Sequence, residues 1–391
     1  MYRMGKEELA AVDRVIQDGF LFRINTGLQE SLNFERELAE KIGVEYALLT
    51  SSGTSALACG LVAMGVGPGD EVLVPAFTFM ASAVAVVMAG AIPVLVEVDE
   101  SLTIDPEDIK KKITKRTKVI MPVHIYGFPC DLETITQIAK EHNLLVLEDA
   151  CQADGGSYQG KRLGTIGEAG AFSFNQYKIM SAGEGGAFLT NDEKIYQNAT
   201  IYHDVGCMFR TAYLCDITEE HFVGSQFRVS EITGAILRVQ LTRLDEILAD
   251  LRRIKKRMID ELSASPGVRF NLSKDLEGDC GTHLPFLFET EEKARKFAEF
   301  DGGMGVLPID SDKHVYENWE PILNKRGAYN DKMDPFKFAE NQGFLDTLNK
   351  EACPQTLDYL ARTVVVALHP DLSAEDVSRL IDKCRRAISS I

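Results

Sequence analysis

The feature that most constrains the fold is an alternation of strand-like and helix-like segments between about residues 40 and 200. Short continuous apolar runs, typical of buried strands, are separated by stretches with helical spacing such as Leu132–His142. Such a chain builds a mostly parallel sheet wrapped by helices. We therefore predict an α/β fold with a seven-stranded sheet, its strands near Tyr46–Thr50, Glu71–Pro75, Ile92–Val98, Lys118–Val123, Leu144–Glu148, Ala169–Phe174 and Ala187–Thr190.

The chain length predicts a second, smaller domain. At 391 residues the chain is longer than one hydrophobic core usually supports. We predict a large α/β domain over residues 1–245, whose N-terminal segment could pack on the other domain, and a small C-terminal α+β domain over residues 246–391. Segments predicted for the second domain are Gly267–Phe270, Thr282–Phe288, a helix over Glu291–Glu299 and a last helix over Ala374–Ser389.

Two further regions have distinct patterns. Ser230–Leu262 reads as one long helical region in which leucines recur at helical intervals, which is typical of a core stripe or a subunit seam. Asp310–Gln355 is rich in Asp, Asn, Lys and Pro and is predicted to be mostly loops. The His314–Pro321 part of it is either surface packing under a long loop or a wall of a substrate pocket.

Charge and cysteine usage limit the classes of partner. The net charge of −17 argues against nucleic acid, since its phosphate backbone attracts basic proteins. No apolar run approaches a membrane span, and the N-terminal residues lack a secretory apolar core. Eight cysteines occur without a CxxC pair or metal-like spacing. We expect a reduced, cytoplasmic protein with no metal site, no membrane contact and no nucleic-acid partner.

Lys178 stands between two strand-like apolar runs and beside the glycine-rich turn Gly183–Gly186. A lysine packed among apolar residues is costly to keep charged, and a neutral amine is the form that attacks a carbonyl. A surface lysine at a hairpin is the simpler reading of this position alone. Two segments upstream favour the catalytic reading.

The first of these segments is a small polar turn at Gly53–Ser55 that opens an apolar helix. Backbone N–H groups and the helix dipole converge there, which favours a phosphate group. An ordinary helix cap is the alternative, because Ser and Thr are preferred capping residues.

The second is the apolar run Leu144–Leu147, which ends on the acid pair Glu148 and Asp149. Ligands of open α/β sheets bind outside the carboxyl ends of the strands, where Asp149 would lie. A capping or loop carboxylate is the alternative. The three features together match pyridoxal 5′-phosphate, which needs a phosphate cradle, an acid at its ring nitrogen and a lysine for its aldehyde.

At these residues the chain resembles the DegT/DnrJ/EryC1/StrS sugar aminotransferases, which belong to the fold-type I pyridoxal phosphate enzymes. The matching stretches occur in one fixed order up to about residue 245, and they are Ser52–Ala56, Pro75–Phe79, Pro122–Gly127, Glu148–Gln152, Phe172–Phe174, Lys178, Gly183–Gly186 and Arg228–Glu231. The resemblance implies the fold-type I architecture, and it implies that residues 1–245 hold the cofactor.

The resemblance also assigns roles to residues. It implies that Gly53, Thr54 and Ser173 hold the cofactor phosphate, that Phe79 stacks on the ring and that Gln152 contacts the ring hydroxyl. The family builds its sites at a homodimer seam, where an asparagine reaches the partner's phosphate. This chain has Gln226 at that position. Arg228 matches the position expected to meet the carboxylate of an amino donor. A His-Gly pair common in the family is Val205-Gly206 here, with His203 displaced by two residues.

The implied reaction is transfer of an amino group, with glutamate as the expected donor, to a ketone or aldehyde of a sugar. Short segments around Phe20–Asn25, Asp149–Tyr158 and Trp319 resemble the branch that aminates C8 of a 3-deoxy-octulosonate. In that branch Arg23 would meet the sugar carboxylate and Trp319 would contact the sugar. Nucleotide-linked keto sugars and cyclitol ketones stay open as acceptors. Two other readings are disfavoured. A dehydratase of the same family has histidine where this chain has Lys178, and a non-catalytic sensor or scaffold would not need the lysine, the acid and the phosphate-binding turn together.

Overall fold

The fold is built on a seven-stranded sheet. The computed structural model describes residues 3–207, 216–265, 267–271 and 273–391. The strands of the sheet are β1 Tyr46–Thr50, β2 Glu71–Pro75, β3 Ile92–Val96, β4 Thr117–Ile120, β5 Leu145–Asp149, β8 Ala169–Ser173 and β9 Gly186–Thr190; β6 Ser157–Tyr158 and β7 Lys161–Arg162 form a separate short hairpin. Their order in the sheet is β1-β9-β8-β5-β4-β2-β3, and β9 alone runs antiparallel to its neighbours. The prediction of a mostly parallel seven-stranded sheet is confirmed.

Helices cover both faces of the sheet because side chains of successive strand residues point to opposite faces. Leu49 and Phe172 belong to one buried cluster, while Leu48 and Ala171 belong to another. The helices of this part are α1 Lys6–Asp18, α2 Glu30–Ile42, α3 Gly53–Ala63, α4 Ala81–Met88, α5 Pro106–Lys112, α6 Leu132–His142 and α7 Glu193–His203.

The long helix α8 runs from Glu231 to Leu262. Its leucine stripe is buried within this chain, with exposed fractions of 0 to 4% at Leu237, Leu241, Leu244 and Leu248. The stripe is therefore core, and the idea that it supplies a subunit seam is wrong. Because α8 continues through the boundary predicted at residues 245 and 246, the two-domain division stays a prediction.

The C-terminal part is a small α+β layer. Strands β10 His283–Leu287 and β11 Thr363–Ala367 pair antiparallel. The helices are α9 Glu291–Glu299, α10 Glu320–Leu323, α11 Pro354–Arg362 and α12 Ala374–Ser389. The predicted strand Gly267–Phe270 is reduced to one bridge between Phe270 and Phe286. Residues 310–355 are mostly loops with short 3-10 turns, as predicted.

The N-terminal segment is attached to the C-terminal part of the chain. Helix α1 packs on α8. Arg3 forms ion pairs with Asp250 and with Asp371, at 2.5 and 2.8 Å. This segment therefore joins α8 to the loop that precedes α12.

Candidate active site

One cavity of about 870 Å³ lies at the edge of the sheet where β1, β5 and β8 end. Its volume is in the range of sites for small-molecule ligands. It brings together seven of the residues that the sequence analysis selected, which are Gly53, Thr54, Phe79, Asp149, Gln152, Ser173 and Lys178.

A tight turn at the start of α3 forms one end of the cavity. Ser52 caps the helix, since its Oγ accepts a hydrogen bond from the Ser55 amide (3.1 Å). The amides of Gly53 and Thr54 lie in the first helical turn and have no acceptor within the helix. A Cβ on Gly53 would lie 2.6 Å from Cys151 Sγ and 2.9 Å from Ser173 Cβ. Only glycine fits here, and the turn offers amides to an anion.

Asp149 ends β5 and is 5% exposed. Ser82 Oγ donates to Asp149 Oδ2 (2.7 Å), and the Cys151 amide donates to Oδ1 (3.2 Å). Thr78 Oγ1 lies 2.8 Å from Ser82 Oγ, which extends the hydrogen-bonded chain. These contacts fix the carboxylate at the cavity wall. Sequence reasoning missed Ser82, although Thr78 and Ser82 are polar residues in an otherwise small and apolar stretch.

Gln152 is oriented by the backbone of Tyr126. The Tyr126 amide donates to Gln152 Oε1 (3.0 Å), so the side-chain NH₂ of Gln152 remains available as a donor. Tyr126 has φ of 54°, and its carbonyl accepts a hydrogen bond from Thr282 Oγ1 (2.6 Å). A residue of the C-terminal part thus fixes the conformation that orients Gln152.

Lys178 lies in the loop between β8 and β9 and is half-buried at the cavity. Its amide donates to the Asn175 carbonyl (2.9 Å), and Gly183 pairs with Asn175 across the loop. The glycine-rich turn therefore closes the loop that carries the lysine.

The remaining wall comes from the C-terminal part of the chain and includes Thr282, His283, Lys313 and His314. Burial lowers the pKa of His283 to about 3, and burial also lowers the pKa of His314. Both imidazoles are therefore neutral near pH 7 and can donate or accept hydrogen bonds. The sequence analysis had singled out the segment at His314, but no signal in the sequence placed His283 or Lys313 at the same cavity.

Three predicted substrate-binding residues, Arg23, Arg228 and Trp319, lie outside the lining of this cavity. Arg23 is 4% exposed and donates to both carboxylate oxygens of Glu35 (2.6 and 2.8 Å). Arg228 forms an ion pair with Asp204 and lies over the ring of Phe22. Neither guanidinium lines the cavity, so the structure does not support their predicted contacts with carboxylates.

Trp319 is fully buried, and its Nε1 donates to the Lys313 carbonyl (2.9 Å). The prediction that Trp319 touches the sugar is therefore corrected. Its indole supports the wall from behind.

Gln226 and His203 also lie outside this chain's cavity lining. Gln226 is exposed, and its backbone bridges Asp204. His203 is buried with its Nε2 3.1 Å from the Leu49 carbonyl oxygen, and burial holds its pKa well below the ordinary range. The buried imidazole supports the end of β1, while the side chain of Gln226 is exposed to solvent.

The residues present fit pyridoxal 5′-phosphate. Amides at a helix N-terminus suit its phosphate, a fixed carboxylate suits its ring nitrogen, and a lysine in the same cavity suits its aldehyde. The fold and this site are those of the fold-type I pyridoxal phosphate enzymes. The chain belongs to the DegT/DnrJ/EryC1/StrS aminotransferase family, whose model matches residues 2–310. The predicted family and cofactor are confirmed.

The amino-acid sequence is also similar to those of individual sugar aminotransferases. The chain is 43% identical over 224 residues to GDP-perosamine synthase of Caulobacter vibrioides, which covers 57% of this chain and 59% of that protein. The chain spans about three fifths of the length of the GDP-perosamine synthases that it matches. It is 32% identical to dTDP-3-amino-3,6-dideoxy-alpha-D-galactopyranose transaminase of Aneurinibacillus thermoaerophilus over 98% of this chain and 96% of that one.

Solved structures show the same architecture. The crystal structure of 3-amino-5-hydroxybenzoic acid synthase matches with a TM-score of 0.78 and 28% identity, covering 100% of this chain and 98% of that chain. An aminotransferase from Psychrobacter cryohalolentis matches with a TM-score of 0.79 and 26% identity, covering 100% and 99%. Within the described residues, no helix combines the length and apolar character needed to span a bilayer.

Proposed function

We propose that this protein transfers an amino group from an amino acid, with glutamate as the donor, to a ketone or aldehyde of a sugar. The observation that carries the proposal is the meeting of Gly53, Asp149 and Lys178 in one cavity. These three residues come from separate parts of the chain, and a scaffold protein would have no need to bring them together.

Each of these residues has a distinct task. The cofactor supplies, when bound, a reactive aldehyde and a ring that withdraws electrons from the substrate carbon. The amides of Gly53 and Thr54 would bind its phosphate, and Asp149 would keep its ring nitrogen protonated. Phe79, which is 39% exposed, would stack on the ring, while the NH₂ of Gln152 would donate to the ring hydroxyl.

Lys178 would hold the cofactor covalently between turnovers. In the reaction its free amine would carry the proton to and from the substrate carbon, as a general acid and base. The half-buried position of Lys178 at the cavity is compatible with both tasks.

The acceptor is the less specified partner. Our preferred acceptor is a 3-deoxy-octulosonate aminated at C8, on the resemblance of the short segments named above. The alternative is a nucleotide-linked 3- or 4-keto sugar or a cyclitol ketone. It is favoured by relatives named GDP-perosamine synthase and dTDP-3-amino-3,6-dideoxy-alpha-D-galactopyranose transaminase.

A panel of acceptors tests the proposal. Purified protein loaded with pyridoxal phosphate is incubated with glutamate and each keto sugar, and release of 2-oxoglutarate is measured. We expect sustained release with one acceptor class. If glutamate yields no 2-oxoglutarate even in a single half-reaction, and other amino acids yield no keto acid, the proposal is wrong.

We also propose that the protein works as a homodimer with shared sites. Gln226 would enter the partner's phosphate pocket, because its side chain is exposed and it matches a family position that reaches the neighbouring subunit. Exposed apolar side chains lie around the same segment, including Phe22, Val205 and Val223.

A further inference from the structure

Lys313 is a cation on the cavity wall with no role in the chemistry described so far. Its side chain is exposed to the cavity, and Nζ lies 5.0 Å from the ring centre of Phe79. Lysine above an aromatic face gains a modest cation–π attraction, which keeps the ammonium near that ring. The ammonium thus lies beside the residue proposed to stack on the cofactor.

Hydrogen bonds from two other segments of the chain fix the backbone at Lys313 and His314. The Met80 amide donates to the Lys313 carbonyl (3.1 Å), and Trp319 Nε1 donates to the same carbonyl. The neighbouring His314 carbonyl accepts from the Thr78 amide (3.0 Å). A binding group on a rigid support loses little entropy when a ligand arrives, so this placement suits recognition.

The charges that line the cavity leave Lys313 without a counterion. The two acids there have other partners, since Asp149 accepts from Ser82 and Glu184 accepts from Asn175 Nδ2 (3.2 Å). Asp310, close to Lys313 in sequence, is paired with Arg295. Within the described part of the chain, Lys313 forms no ion pair. Of the two lysines of the cavity, Lys178 is assigned to the cofactor.

We propose that Lys313 binds an anionic group of the sugar acceptor, either a carboxylate or a phosphate, and thereby restricts acceptors to negatively charged sugars. This inference rests on the proposed function and names the substrate class for it. A charge-assisted hydrogen bond to an anion is stronger than one to a neutral hydroxyl. The neutral imidazoles of His283 and His314 would contact the sugar hydroxyls.

The single tryptophan gives a binding signal that does not depend on activity. Trp319 is the one tryptophan in the chain, and it is hydrogen-bonded to Lys313. Its fluorescence is titrated with three probes: 3-deoxy-octulosonate for a carboxylate, GDP-mannose for a phosphate, and glucose as an uncharged sugar. The variants are Lys313→Met, Lys313→Arg and, as a control on an exposed lysine outside the cavity lining, Lys332→Met.

We expect the wild type to bind one of the two charged probes, and the identity of that probe reports whether the anion is a carboxylate or a phosphate. Lys313→Met should weaken this binding by about tenfold or more, the loss expected for one charge-assisted contact. Lys313→Arg should retain most of the affinity, Lys332→Met should match the wild type, and glucose should bind equally to all.

A second measurement separates acceptor from donor. Lys313→Met should still release one equivalent of 2-oxoglutarate from glutamate, with a loss of rate much smaller than its loss of probe affinity. If the rate of this half-reaction falls as much as the affinity for the charged probe, Lys313 binds the donor carboxylate and the inference is wrong. It is also wrong if the wild type binds neither charged probe or if Lys313→Met binds them normally. Binding through Lys313 with no amino transfer would instead refute only the proposed function.

Discussion

Lys178 lies in the same cavity as Asp149 and the turn at Gly53. The hydrogen bonds that fix the Asp149 carboxylate and this turn do not involve Lys178. We therefore predict that Lys178→Ala abolishes transamination while the protein still folds and binds pyridoxamine phosphate. Turnover and cofactor binding are measured together, with exposed Lys161→Ala as the control. Near-normal turnover of Lys178→Ala would refute the assignment.

Asp154 is a buried carboxyl that the proposed reaction does not use. Asp154 is 0% exposed, and among the described residues neither carboxylate oxygen has a hydrogen-bond partner. The Met180 amide faces the carboxyl group without reaching hydrogen-bond geometry. Burial raises the pKa of Asp154 well above its ordinary range, against the opposing effect of the Lys178 amine and the Met180 amide. The folded protein therefore keeps a proton there that the unfolded chain loses near pH 4.

This pKa shift predicts a pH-dependent effect of Asp154→Asn. As the pH rises above the unfolded pKa, the wild type should lose about 1.4 kcal/mol of unfolding free energy per pH unit until the folded pKa is reached. The variant lacks this loss, so its stability relative to the wild type should increase from pH 4 to pH 7. Urea denaturation of the cofactor-free protein measures it, with exposed Asp346→Asn as the control. A difference that is independent of pH would contradict the buried-carboxyl argument.

Residues differ in how far the sequence predicts them. Asp149 was predictable because it ends an apolar strand, and Lys178 because it lies between two apolar strands. Both positions place the side chain at the edge of the sheet where ligands bind. Arg23 and Trp319 were mispredicted because a short segment match does not show which way a side chain points. The structure pairs Arg23 with Glu35 and buries Trp319 behind Lys313.

At the scale of elements, strand β9 and helix α3 are in close backbone contact. Gly186 begins β9, and a Cβ there would lie 2.4 Å from the carbonyl carbon of Ser52 and 2.6 Å from the Gly53 nitrogen. An alanine would have to push the peptide that opens α3. The strand therefore supports the turn proposed to bind phosphate.

We predict that Gly186→Ala weakens pyridoxal phosphate binding and destabilises the fold by about 1–3 kcal/mol, as expected for overpacking. Cofactor titration and thermal unfolding measure the two effects. Gly67→Ala is the matched control, since no atom of the described residues lies within 4 Å of a Cβ built at Gly67, and its φ is not in the left-handed region. Wild-type cofactor affinity in Gly186→Ala would show that the turn tolerates the shift.

The elements were more predictable than their connections. Continuous apolar runs placed all seven strands of the main sheet, and the leucine spacing placed α8. Strand β11 was not predicted, because Thr363–Ala367 follows helix α11 directly and gains its pairing from β10 and from a bridge to Val306, both distant in sequence. The wall at His283 and Lys313 was missed for the same reason, since long-range packing alone brings it to the cavity.

At the scale of the whole molecule, the exposed apolar residues call for a partner surface. Phe20, Leu21 and Phe22 are 54, 45 and 49% exposed, and Phe22 bridges Ser230, just beyond the segment that carries Gln226. Clustered exposed aromatic and aliphatic residues mark association sites. Since α8 buries its own stripe, this N-terminal surface is the better candidate for a two-fold contact.

We predict an obligate homodimer in which Gln226 of each chain binds the cofactor phosphate of the other. A ligand that bridges two subunits is lost when they separate, so cofactor and dimer should stabilise each other. Sedimentation at low micromolar concentration should show a dimer that loosens when the cofactor is removed. Gln226→Ala should weaken cofactor binding and remove its dependence on protein concentration, while Gln137→Ala, at an exposed glutamine on α6, should behave as the wild type. A fully active monomer would contradict the shared site, because an isolated chain has no neighbouring Gln226 to use.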